Sequence, residues 1–353
     1  MISDHKLNLF LRRFHVLYVE MLGYKINLFN TNTNGALVLK SERVKKMAGA
    51  IESNDFFKRP LDLLDRRNPN GMRPLDLVNL DTKLANKIRL AWTTKLLNMS
   101  RYQWDWIGQD PSAAATVFAE GMTDSILEAY LLRTFGVLRA TVGSNPATFY
   151  DAFSSTVENR RRMSYANLEL TADKFGDAMS QIKTWIMPTT AKTQLLLGNL
   201  KNAEQLFTFG TVGVSRDASG RSIITTDDPN LRQTVSTSGG VENAWWAFGL
   251  VPNAVVIEEL DDWDDAAGTT TGYENIMRTY QANWSNSLAV KGYKFDDSLL
   301  LQSDIEGRDP YISASDGAIL TRENWSQVET SHKGTAGAVS YTHLTLPTKR
   351  IVE

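Results

Sequence analysis

Polar and apolar residues alternate with a period of two between Val78 and Trp92. Val78, Leu80, Leu84, Ile88, Leu90 and Trp92 share one parity with Thr82 and Asn86. Asn79, Asp81, Lys83, Lys87 and Arg89 share the other with Ala85 and Ala91. That rhythm predicts a long half-buried strand; Leu80, Leu84 and Ile88 also fit a helical repeat, which is the competing reading. The period then lengthens. Phe118, Met122, Ile126, Tyr130 and Leu131 recur at helical spacing. Asp110 can cap free N–H groups, and Pro111 loses nothing at a first helical position. Gly143 and Pro146 supply the stop. A helix over 110–142 spans about 50 Å at about 1.5 Å per residue.

Elsewhere the pattern predicts shorter elements. Residues 14–30 read as a mixed amphipathic helix stopped by Asn34 and Gly35, followed by a short strand over Ala36–Leu39. Residues 40–75 hold charges and breakers, with Pro69, Gly71 and Pro74 close together, and read as loop. Residues 165–176 predict a helix, Gln181–Met187 a buried strand, and Thr190–Leu200 a helix behind Pro188. "RSIITTDDP" gives a short strand. "AWWAFGLVPNAVVIEEL" gives two core strands with a turn at Pro252–Asn253. Gly272–Asp296 reads as one long extended element with Gly292 near its far end. The sum is mixed α+β without internal repeats.

Composition removes several chemistries. The chain of 353 residues is 42% hydrophobic and 22% charged, an ordinary globular balance. It has no cysteine, so disulfides, thiolate metal sites and thiol nucleophiles are excluded, and a reducing compartment fits. Four histidines, His5, His15, His332 and His343, give no plausible zinc set or catalytic triad. Neither GxGxxG nor GxxxxGK[ST] occurs. No apolar run reaches the roughly 18 residues of a membrane span. Arg12, Arg13 and His15 interrupt the apolar N-terminal stretch, which has no signal-peptide cleavage site. The first fourteen or so residues are open to a second reading, as an artefact of the reading frame. "SYTHLTLPTKRIVE" (340–353) resembles translated sequencing-library adapter and is expected to lie outside the fold, so that its deletion costs neither folding nor assembly.

Charge is uneven. Residues 1–101 carry about +9 and the remainder about −11, which together give the net −2. This is either chance surface composition or a basic front, with Arg66 and Arg67, that docks on the acidic back of another copy. In that back lies "EELDDWDD" (258–265), whose Asp261, Asp262, Asp264 and Asp265 are candidates for inter-subunit contact. The run lacks the ligand spacing and turn glycine of a calcium loop, and adjacency alone cannot define a glycosidase pair, so it reads foremost as a solvated acidic loop. Arg160, Arg161 and Arg162 form a basic patch that could face nucleic-acid phosphates, or be solvated or inter-subunit. Trp185, Trp245 and Trp246 sit in apolar strands and read as core. Trp104, Trp106, Trp263, Trp284 and Trp325 sit among polar residues and read as interface anchors.

Eight stretches, taken in order, resemble one family of tailed-bacteriophage major capsid proteins. They are "NLFNTNTNGALVL", "VNLDTKLANKIRLAW", "IGQDP" with its helix, "LTADKFGDAMSQIKTWIM", "IITTDDP", "AFGLVPNAVVIEE", "GYENIMRTYQANWSNSLAVKGYKFD" and "ENWSQVETSHKGTAGAV". The resemblance covers roughly residues 26–339. It implies the α+β capsid fold of the Hong Kong ninety-seven type. The arm would occupy 1–53, the E-loop region 54–109, the P-domain spine helix 110–164, the A-domain 165–255, and P-domain return strands 256–339, with 340–353 an adapter-derived tail. It further implies a structural protein, not an enzyme, with no cofactor. Copies would form hexamers and pentamers of an icosahedral shell in the virion, assembled in the bacterial cytoplasm without membrane. They would touch packaged double-stranded DNA non-specifically and meet portal, scaffolding and decoration proteins. Tyr102, Trp104 and Trp106 would lie where the E-loop returns to the spine, hinging it on its own subunit or anchoring it on the next. Residues 40–75 are richer in Arg, Asn and Pro than the family pattern, and no helical scaffolding segment precedes the arm. The alternatives are a cellular nanocompartment shell of the same fold, or a Trp-rich carbohydrate-active enzyme using acidic residues of 258–265.

Overall fold

A computed structural model gives the fold and describes residues 4–41, 47, 51–57, 82–100, 103, 109–154, 161–198, 204–209, 212–216, 220–237, 240–270, 277–296, 316–329 and 331–343. Two long helices pack on each other: α1, Asp4–Asn32, and α2, Pro111–Thr141. The start of α2 is the predicted one. Asp110 accepts hydrogen bonds from the backbone N–H groups of Ser112 and Ala113, and Pro111 opens the first turn. From Tyr130 on, buried residues fall on most sides of α2 (Leu131, Thr134, Phe135, Val137, Leu138), as in a helix enclosed by other elements.

The first helix begins ten residues earlier than predicted. Phe10, Phe14, Tyr18, Leu22, Ile26 and Phe29 recur every three or four positions, and all are buried. Phe10 meets Phe118 edge-on at 5.8 Å, and Phe14 meets Tyr280 at 5.6 Å. Positions 10 and 14 are therefore core. Arg12 and Arg13, which broke the apolar run in the sequence, lie on the exposed face. Asn34 and Gly35, at φ 52° and 63°, end the helix as expected.

A seven-stranded sheet lies against these helices. Its strands are β1 (Leu37–Lys40), β2 (Ile51–Phe57), β3 (Thr82–Thr93), β4 (Leu97–Met99), β12 (Val255–Glu259), β13 (Asp264–Thr270) and β14 (Met277–Val290). The order is β1-β12-β14-β3-β2, with β13 and β4 both paired to the first half of β14. In register across it lie Leu39, Ile257, Leu288 and Ile88, all buried on one face. In β3, Asn86, Ile88 and Leu90 are buried while Lys87 and Arg89 are half-exposed, so the period-two reading holds and the helical one fails. β2 falls inside the stretch expected to be loop and runs antiparallel to β3. The element expected over 272–296 is strand from Met277 to Val290. Gly292, at φ 80°, then turns the chain where a Cβ would come within 2.9 Å of Thr335 Cα. Tyr293–Phe295 (β15) then pairs with Trp325–Gln327 (β16).

The second sheet has eight strands: β5 (Phe149–Asp151), β6 (Thr184–Pro188), β7 (Glu204–Phe209), β8 (Val212–Arg216), β9 (Ser222–Thr226), β10 (Arg232–Thr237), β11 (Gly240–Leu250) and β17 (Gly337–His343). The order is β5-β17-β11-β6-β9-β8-β7, with β10 on β11. β6 and β9 pair in parallel and are buried at every position, the pattern of a strand covered on both faces. Tyr165–Asp173 (α3) and Thr189–Gly198 (α4) accompany this sheet. Trp185, Trp245 and Trp246 are buried in it, as predicted. The turn at Pro252–Asn253, with Asn253 at φ 57°, carries the chain from one sheet to the other. The end of α1 joins the two: Asn253 N–H donates to Gly35 O at 2.7 Å, and Thr184 Oγ1 donates to Thr33 O at 2.7 Å. Carbonyls left over at a helix end are thereby satisfied.

The tail corrects an expectation. Ser340 to His343 are not outside the fold but form the second half of β17, between β5 and β11. Ser340 and Thr342 are fully buried, yet their hydroxyls have no hydrogen-bond partner among the described residues, and neither does Nε1 of Trp245, opposite Thr342. A buried unpaired hydroxyl costs about 1–3 kcal/mol. Thr342→Val keeps the shape and removes that cost, so it is expected to stabilise the fold by about 1 kcal/mol in thermal or urea unfolding. A loss of stability would mean that the hydroxyl does have a partner.

Candidate assembly surfaces

The acidic run Glu258–Asp265 is not a solvated loop. It closes β12 and opens β13, and most of it is engaged inside the chain. Glu258 pairs with Lys40 at 2.6 Å and with Lys87. Partial burial pushes its carboxyl up, but the two lysines outweigh this and hold the pKa below the ordinary value. Glu259 is buried and accepts from the hydroxyls of Tyr18 and Tyr130, each at 3.3 Å. Asp262 takes Arg89 at 2.6 Å and the Ser285 N–H at 2.8 Å. Asp265 is exposed and accepts from Trp263 Nε1 at 3.3 Å and Tyr280 OH at 3.4 Å. Asp261 and Asp264 are exposed.

The basic front thus meets the acidic back within one subunit. Lys25–Asp124, Lys40–Glu258, Lys87–Glu258 and Arg89–Asp262 all join residues before 101 to residues after it. These pairs cross strands and helices that no sequence spacing relates. Arg66, Arg67 and Arg160 lie outside the described residues, as do Tyr102, Trp104 and Trp106. Arg161 and Arg162 are half-buried just ahead of α3, and Asn167 Nδ2 donates to the Arg162 carbonyl at 2.7 Å.

Of three tryptophans expected at interfaces, Trp284 is interior, and Trp263 and Trp325 pack half-buried against their own subunit's core. Trp284 is buried and donates to Tyr130 OH at 2.9 Å. Trp263 stacks on Trp284 at 5.4 Å and on Tyr18 at 4.9 Å. Trp325 packs edge-on to Phe295 at 5.2 Å and donates to the Ile319 carbonyl at 2.8 Å. The polar neighbours of Trp284, Asn283 and Ser285, misled the reading because adjacent strand residues face opposite sides.

Tyr18, Tyr130, Trp284 and Glu259 form a buried polar knot that ties α1, α2, β12 and β14 together. Burial, reinforced by the charge of Glu259, raises the Tyr130 pKa well above its ordinary 10.0. Burial likewise raises Tyr280, with help from Asp265, as well as Tyr293 and Tyr341. A raised folded-state pKa means that the unfolded chain releases its proton first. Stability is therefore fully present below about pH 10 and falls above it, by up to about 1.4 kcal/mol per pH unit for the fully buried Tyr130. Urea midpoints measured from pH 8 to 11 should be level and then drop steeply; a level profile through pH 11 would contradict the burial of these phenols.

Among the described residues, two apolar features are open to partners. On the outer face of α1, Val16, Val19 and Tyr24 are exposed, Tyr24 by 70%. Between α1, α2 and the β3–β4 corner lies a groove of about 610 Å³ lined by Phe10, Trp92, Leu97, Phe118, Met122 and Tyr280. Among the described residues no group of three or more acidic or histidine side chains could hold a metal ion, and no helix is long and apolar enough to cross a membrane.

A long buried helix, an antiparallel β2–β3 pair flanking residues 58–81, and two sheets joined at the end of α1 make a plan that can be compared with known proteins. A sequence model described as major capsid protein 13-like matches residues 6–339. The chain belongs to that family. It is a major capsid protein, and so a viral structural protein. The match begins close to the start of α1, in agreement with the core positions of Phe10 and Phe14, and ends at Val339. Among solved structures, the capsid of Ralstonia phage GP4 aligns with a TM-score of 0.50 at 11% identity, covering 89% of each chain. The capsid asymmetric unit of cyanophage Pam1 aligns at 0.46 and 10%, covering 87% of this chain and 88% of that one. The SrpI encapsulin of Synechococcus elongatus PCC 7942 aligns at 0.40 and 10%, covering 86% and 83%. The first of these shows that this capsid protein has the α+β fold implied by the sequence resemblance. No curated protein sequence matches the chain.

Proposed function

We propose that this capsid protein does no chemistry and works by self-assembly. Copies join head to tail into hexamers and pentamers and close into an icosahedral shell around double-stranded DNA in the virion, after assembly in the host cytoplasm. Head-to-tail contacts close into rings when the rotation allows. The observation that carries this reading is the family match across residues 6–339. In the shell, α2 serves as the spine of the P-domain. Residues 54–109, entered by β2 and left by β3, serve as the extended E-loop, and the part of the eight-stranded sheet within 165–255 as A-domain. Arg66 and Arg67 of one copy are suited to the exposed Asp261 and Asp264 of the next. Arg160, Arg161 and Arg162 face the packaged DNA non-specifically, and portal, scaffolding and decoration proteins are further partners.

The test is negative-stain microscopy and nucleic-acid assay of the purified protein and of particles from infected cells. Discrete closed particles, filled with double-stranded DNA in the infection, are expected. Closed particles that hold protein cargo and never DNA would favour a nanocompartment, and a protein that stays monomeric at high concentration would end the shell reading.

A further inference from the structure

Exposed large apolar side chains fall mainly in two clusters among the described residues. Val16, Val19 and Tyr24 stand on the outer face of α1. Leu96, Leu97 and Val117 stand at the groove between α1, α2 and the β3–β4 corner. One cluster is convex and the other concave, and they cannot meet inside one subunit. Phe10 and Phe14 form the groove's wall on α1. Val16 lies about 200° around that helix from Phe14, at about 100° per residue. Charge marks the two clusters as counterparts. Val16 has exposed Arg12 and Arg13 one turn before it and exposed Glu20 one turn after it. At the groove, exposed Lys95 comes from the β3–β4 corner, and exposed Glu120 comes from α2 between the lining residues Val117 and Gly121. None of these five charges makes an ion pair with another described residue, whereas Lys25, Lys40, Lys87 and Arg89 are all paired within the subunit.

We propose that the outer face of α1 of one copy seats in this groove of the next copy. Val16, Val19 and Tyr24 are the apolar anchors, spaced along one helix as in other helix-in-groove contacts. Glu20 meets Lys95 of the next copy, and Arg12 and Arg13 meet its Glu120. Arg13 and Glu20 are about 10 Å apart along the helix, so the basic and acidic ends reach opposite walls of the groove. Charge selects the occupant. The groove offers a cation on one wall and an anion on the other, and α1 carries the matching signs at the two ends of its exposed apolar face. Covering both clusters removes from water most of the large apolar side chains that the isolated subunit exposes. Each copy uses its helix face on one neighbour and its groove on the other. Such a contact is head to tail and closes into a ring when the rotation allows. It rests on the self-assembly reading above and gives that reading a definite contact.

The chain has no cysteine, so engineered pairs report cleanly. Glu20→Cys and Lys95→Cys, placed together in one chain, would be treated with a short bismaleimide under assembly conditions. Ladders of linked chains are expected from the double variant, and unlinked chains from either single variant. Charge reversal gives a second reading. Glu20→Lys and Lys95→Glu each set like charges together and should raise the protein concentration needed for assembly by roughly 5-fold or more. The two reversals combined should restore it. Val16→Asp should raise it by roughly 10-fold or more. That side chain is exposed, so the urea midpoint of the subunit should not change. Particles that form without links between chains, while Val16→Asp assembles like the unaltered chain, would overturn this contact and leave the shell reading standing. Links only within one chain, or a double reversal no better than the single ones, would also overturn it. Subunits that stay monomeric at high concentration would end both readings.

Discussion

Ending the chain at Val339 is expected to destabilise the subunit by about 4 kcal/mol or more, enough to remove much of the 5–15 kcal/mol that holds a typical domain folded. The cut removes Ser340–His343, which pair with Ala244–Ala247 on one side, while Ser340 and Tyr341 pair with Tyr150 and Asp151 on the other. It leaves the N–H groups of Ala152 and Phe153 without the Tyr341 carbonyl they now share, at 2.9 and 3.0 Å. It also removes the Tyr341 ring from Trp246 at 4.9 Å and Phe153 at 5.5 Å. Buried strand groups left unpaired and a ring-sized cavity act in the same direction. Urea unfolding of the two chains checks this: a clearly lower midpoint is expected, and an unchanged one would show that residues 340–343 add nothing to β17.

Tyr130→Ala is expected to cost about 4–5 kcal/mol, and Tyr130→Phe about 1–2 kcal/mol. The phenol is buried where α2 meets β12 and β14. Truncation to Ala opens a cavity and strips Trp284 Nε1 of its acceptor and Glu259 of a donor. Phe keeps the packing and loses only the hydroxyl, so the difference between the variants separates volume from hydrogen bonding. Equal losses in urea unfolding would mean that the polar knot matters and the ring does not. Negligible loss in both would mean that the junction is not part of the cooperative core.

What the sequence carried was local. The alternation at Ile88 and Leu90, the Asp110–Pro111 start, the Asn34–Gly35 stop and the Pro252–Asn253 turn each depend on neighbours in the chain, and each stands in the fold. Pairings across distance were hidden. Nothing near Glu259 announces Tyr18 and Tyr130 as its partners, and nothing near Arg89 announces Asp262. Polar neighbours disguised Trp284, because strand residues alternate faces. Arg12 and Arg13 disguised the first turns of α1, although they occupy only its outer face. Residues 340–343 carry two hydroxyls into a buried strand, so their composition argued against the position they hold. The candidate surfaces were the least legible. Asp262, which looked poised for another subunit, is paired with Arg89 inside its own.

Cryo-microscopy of assembled particles tests the central claim most directly. The account predicts an icosahedral shell of hexamers and pentamers whose every subunit shows α2 beside the seven-stranded sheet, with the 54–109 excursion reaching across a neighbour. Particles built on another symmetry with no five-fold vertices, or a protein that forms no shell under any assembly condition, would contradict it.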